Sequence, residues 1–113
     1  MSNKTENLTV PQGDYGYNLD FTLYNADGTA KVLTDYTITL KVWSPGVPGT
    51  LLLEGVCDPD VAASGTCHYE VAEGDFDIVG RFLYEIELTQ ANITESAKNG
   101  SLTVVESPFT ESV

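Results

Sequence analysis

The stretch that decides the fold is VGRFLYEIEL, residues 79–88. Phe82, Tyr84, Ile86 and Leu88 alternate with Leu83, Glu85 and Glu87, and a period of two is the mark of a half-buried strand. Gly80 stands at the corner leading into this strand. Arg81, the chain's only arginine, falls on the outward row with the two glutamates. Those neighbouring acids are expected to pair with it, for little net stability. Arginine is also enriched at binding hot spots, which makes Arg81 a candidate interface contact.

The same period recurs upstream. Tyr15, Tyr17, Leu19, Phe21 and Leu23 alternate with small and polar residues. So do Tyr36, Ile38, Leu40 and Val42, in a run rich in β-formers. Further strands are expected at Leu51–Cys57, Thr66–Val71 and Ser101–Val105, with shorter ones near Leu8–Val10 and Val32. NADG (25–28) is turn chemistry, and SPGVPG (44–49), with two prolines and two glycines, is a loop. The best helix candidate, VAEGDFDIV (71–79), is limited by its glycine to about one turn. Strands at regular spacing with turns between them predict an all-β chain, a single antiparallel β-sandwich of about seven to eight strands.

A chain of 113 residues with 42% hydrophobic content forms one globular domain. Its expected limits are residues 8–106, between an N-terminal arm (1–7) and a C-terminal arm (107–113). No apolar run reaches the length of a membrane span, and MSNKTENLTV lacks the apolar centre of a signal peptide. The four Asn-x-Ser/Thr triplets, at Asn3, Asn7, Asn92 and Asn99, are therefore read as chance matches. Seventeen acids against five basic residues give a net charge of −12, which argues against nucleic acid and anionic membrane as partners.

Catalytic chemistry is hard to assemble from these residues. His68 is the only histidine, and alternation along Cys67-His68-Tyr69 turns it away from Cys67, against a Cys–His dyad. There is no phosphate-binding glycine loop, nucleophile elbow or HExxH, and no enzyme activity or cofactor is expected. Asp58/Asp60 and Asp75/Asp77 have the spacing of loop calcium ligands, but turn acids bonding to nearby amides are the favoured account. Cys57 and Cys67 flank DPDVAASGT. If those flanks pair as a hairpin, a bridge there would stabilise by about 2–3 kcal/mol. The alternative is a pair of half-buried free thiols. Trp43 falls on the outward side of its strand, just before the proline loop. It is a candidate interface anchor, with capping of one end of the sandwich as the structural alternative. Val47 in that loop and Phe109 in the C-terminal arm complete the interface candidates.

The order of these features resembles a known family. LTVPQGDYGYNLDFTLYNADGTAKVLTDYTITLKVW (8–43), then SGTCHYEV, VGRFLYEIEL and SLTVVES, is similar to the immunoglobulin-like N-terminal domain of phage upper baseplate, tail and head-fibre proteins. The matching positions are Gly13, Asp14, Gly16, Leu19, Phe21, Leu23, Gly28 and Leu33, then Gly80, Phe82, Glu85 and Leu88. The resemblance implies an immunoglobulin-like sandwich and a non-enzymatic structural role in a tailed-phage virion, as an adaptor or decoration subunit. Its partners would be other virion proteins (baseplate, tail or major capsid), and it would be present in many copies as a homo-oligomer. Its location would be the virion, after synthesis in the host cytoplasm. The other reading of the residues is an immunoglobulin-like module that binds glycans or a cell surface.

Overall fold

The computed structural model describes residues 4–46 and 51–106. Eight strands form: β1 (Lys4–Thr5), β2 (Leu8–Pro11), β3 (Asn18–Thr22), β4 (Thr37–Trp43), β5 (Leu51–Val61), β6 (Thr66–Glu70), β7 (Gly80–Gln90) and β8 (Ile93–Val105). The described residues contain no α-helix. A single 3-10 turn, Ala62–Ser64, joins β5 to β6, and residues 71–79 form turns, with the Asp75 amide bonded to the Ala72 carbonyl.

The strands lie in one path, β1-β8-β7-β4-β5-β6-β3, with β2 also on β8. Both N-terminal strands run parallel to β8. The sheet is therefore mixed, which corrects the expectation of a purely antiparallel one. It comes about because residues 4–11, expected as the end of an arm and a short first strand, run beside the last strand instead of folding back in a hairpin.

β5 makes the sheet curl. Its first part, up to Cys57, pairs with β4, and its second part, from Asp58, pairs with β6. Residues 58–61, read as loop, are thus strand, and their side chains are exposed. Ile38, Leu40, Val42, Tyr84, Ile86, Leu88, Phe21, Leu23 and Leu102 are buried together inside the curl. The Phe21 and Tyr84 rings are tilted against each other at 6.1 Å between centroids.

β8 is longer than the sequence indicates. Between Ser96 and Lys98 the register with β7 slips, leaving Ala97 as a bulge, and Ala97 and Lys98 are both buried. Upstream, β3 starts at Asn18 because Gly16 takes φ 86°, and Tyr15 is left exposed. Val32 is exposed and lies outside any strand, while Leu33 beside it is buried.

Candidate functional site

β4, β7 and β8 lie side by side, and their outward side chains make the face that carries the interface candidates. Trp43 is the register partner of Leu83, and Leu83 of Ser101. Two residues back along β7 stands Arg81, opposite Thr103. Asn7, in the link between β1 and β2, reaches over this row. Its Oδ1 accepts the Ser101 hydroxyl at 2.8 Å, which accounts for the burial of Ser101 on an outward position. Trp43, Arg81, Leu83, Asn7 and Ser101, with Tyr84, Asn99 and Gly100, line an open groove of about 430 Å³. Two residues singled out separately, Trp43 and Arg81, are thus brought to one place. Trp43 is half-buried, and Arg81 is exposed.

The expected pairing of Arg81 with its neighbours is not what forms. Glu87 bonds to Lys41 at 3.1 Å and raises the ammonium pKa above its ordinary value. Among the described residues Arg81 takes part in no ion pair. Lys41 takes up Glu87, and Glu85 stands four residues along β7 from Arg81 with Leu83 between them on the outward row. Val47 and Phe109 lie outside the described residues.

A second group sits on the outer face of the β3-β6-β5 part of the sheet. As alternation indicated, His68 points away from the buried Cys67 and Tyr69. Its Nδ1 lies 2.6 Å from Asp60 Oδ1, and its Nε2 lies 3.9 Å from Asp58 Oδ2. Asp20 of β3 is its register partner on the other side. The hydrogen bond to Asp60 raises the imidazole pKa, and the charges of Asp60, Asp58 and Asp20 add to it. Held this way, His68 ties β6 to the end of β5 through Asp60.

Asp75 accepts the Tyr69 hydroxyl at 2.5 Å and the Ala72 amide at 2.8 Å, and the Asp77 carbonyl accepts from the Gln12 carboxamide. Turn and strand chemistry thus occupies Asp60 and Asp75, and no group of three metal-ligating residues converges among the described residues.

The cysteine flanks do pair, as β5 and β6. Register places Pro59 opposite Cys67, so Cys57 stands two residues further along, diagonal to it. Both are free thiols and both are buried. The hydrogen bond between them and burial push the Cys57 thiol well above its ordinary pKa, so it stays protonated.

At the other edge of the sheet, Lys98 is buried and bonds to Glu6 Oε1 at 2.7 Å. Beside it the chain needs a glycine: a Cβ on Gly100 would sit 1.9 Å from the Glu6 carbonyl oxygen. The sequence shows Asn7 and Asn99 only as chance Asn-x-Ser/Thr triplets and Ser101 only as the start of a strand; they come together at the groove through this packing of the N-terminal segment on β8. No protein-family model and no curated protein matches the chain.

Proposed function

We propose that the chain is a non-enzymatic structural protein of a tailed-phage particle, an immunoglobulin-like β-sandwich that docks as an adaptor or decoration subunit on baseplate, tail or capsid. The observation that carries the docking role is the position of β3. It ends the strand order and, among the described residues, is paired on one side only, by β6. A strand paired on one side offers a row of backbone donors and acceptors to a strand from a neighbour, which suits repeated assembly. The phage setting rests on the resemblance of residues 8–106. Several positions that carry it fall at corners and in the core: Gly13, Gly16 and Gly28 have positive φ, and Phe21, Leu23, Leu33, Phe82 and Leu88 are buried. Such residues serve a scaffold and leave the outer faces free to vary.

The test is to purify virions from infected cells and quantify the chain by mass spectrometry. A fixed copy number per particle is the expected result. A chain found only in the free protein fraction sinks the proposal.

A further inference from the structure

The groove on the outer face of β4, β7 and β8 offers a different kind of contact from the edge of β3. β4 is paired with β5 and β7, and β8 with β7 and with β1 or β2, while β7 is paired with β8 throughout and with β4 over residues 83–89. Around the groove, apart from residues 80–82, these backbones are taken up on both sides, so an extended peptide would gain at most a short ladder here. What the groove presents is side chains, and these are rich in donors. Arg81 brings a guanidinium with no ion pair among the described residues. The Asn7 oxygen is taken up by Ser101, which turns the remaining hydrogen-bonding capacity of that carboxamide to its Nδ2 protons. Trp43 and Leu83 supply an apolar floor beside these donors.

A matching ligand carries oxygen acceptors around a compact ring with an apolar face, and one carboxylate for the guanidinium. The charge balance narrows this further. The molecule carries −12, and Glu85 lies on the same outward row as Arg81. One arginine in such a field can offset a single carboxylate; a dense polyanion would be repelled. We propose that this groove binds an acidic sugar, a hexuronic acid residue of a glycan, with the carboxylate on Arg81, the ring over Trp43 and Leu83, and hydroxyls on Asn7. This goes beyond the docking role and is tested independently of it, since isolated protein suffices.

Trp43 is the only tryptophan in the chain, so its fluorescence reports on the groove alone. The probe is a glucuronate-containing tetrasaccharide, titrated up to about 10 mM, with a neutral tetrasaccharide of matched linkage beside it. Expected are a saturable Trp43 change with the uronate and amide shifts confined to residues 7, 43, 81–84 and 99–101. The neutral sugar and Arg81→Gln should each bind at least about tenfold more weakly, the cost of one lost charge-assisted contact. Arg81 is exposed, so the variant keeps its fold, which circular dichroism checks. Three results would overturn the proposal: no saturable change with the uronate, equal affinity for the neutral sugar, or undiminished binding by Arg81→Gln. Binding of a carboxylate-bearing peptide without the sugar would also overturn it, and would make the groove a protein contact.

Discussion

Replacing Tyr84 by phenylalanine should stabilise this protein. Tyr84 is fully buried, and its Oη has no hydrogen-bond partner among the described residues. Burial, with the Glu6 charge as a lesser cause, pushes its phenol well above the ordinary pKa, so the group is a neutral, desolvated hydroxyl. An unsatisfied buried donor of this kind costs about 1–3 kcal/mol, and removing it returns part of that. The aromatic packing against Phe21 is kept, because phenylalanine retains the ring. A net gain of about 1 kcal/mol is expected. At ~2.1 cal/mol/K per residue over the chain, this raises the melting temperature by about 4 °C. The control is Tyr69→Phe, since Tyr69 is buried with its hydroxyl donated to Asp75 at 2.5 Å. A hydrogen bond to a carboxylate is worth about 1.5–3 kcal/mol, so that variant should melt lower by about 6–13 °C. Both are read by calorimetry and by urea unfolding. If Tyr84→Phe melts several degrees below wild type, Oη has a partner and the account of this part of the core fails.

Further expectations concern four other places. Phe82→Ala should lose about 3–5 kcal/mol in urea unfolding while Arg81→Ala stays within about 0.5, because one residue is buried in the core and the other is exposed. Gly100→Ala should release the N-terminal segment, seen as loss of amide protection at Glu6, whose N–H bonds to the Asn99 carbonyl, with the β4–β7 ladder still protected. His68 has a raised folded-state pKa, so its contribution to stability is complete below the ordinary imidazole pKa and is lost as pH rises through the raised value. An NMR titration should find that pKa lowered towards ordinary in Asp60→Asn; an unchanged value would refute the pairing. A thiol reagent should label neither cysteine of the folded, reduced protein quickly and both after unfolding, as both are buried. Fast labelling of either one would contradict their packing.

How much of this was legible in the sequence varies with what each element depends on. β4 was read to within a residue at each end, and β7 over its central 82–88, because both are buried on one face and their alternation there is complete. β8 was read only over its last residues. Its first part, ITESAKNG, lacks an apolar period, and the bulge at Ala97 sets two successive side chains inward. β5 was cut short at Cys57 because Asp58, Pro59 and Asp60 are turn formers. They sit in a strand here because that stretch is exposed and needs only its ladder with β6. The parallel placement of β1 and β2 on β8 left no local signal at all: it depends on Gly100 allowing Glu6 close to the strand, a contact of residues far apart in the chain.

The candidate site follows the same division. Trp43 and Arg81 stood out singly, one as the only tryptophan and the other as the only arginine, each on the outward row of its strand. That they share a groove depends on the register that sets Trp43 opposite Leu83, and a slip of one residue would put Trp43 on the other face from Arg81. The sequence leaves that register open, whereas the structure fixes it through buried side chains on the opposite face of the same strands. The groove is therefore positioned by Val42, Tyr84 and Leu102, of which Tyr84 also lines it. Substitutions on the outer face can accordingly change what the groove binds while leaving the fold intact, and substitutions in the inner row should remove both together.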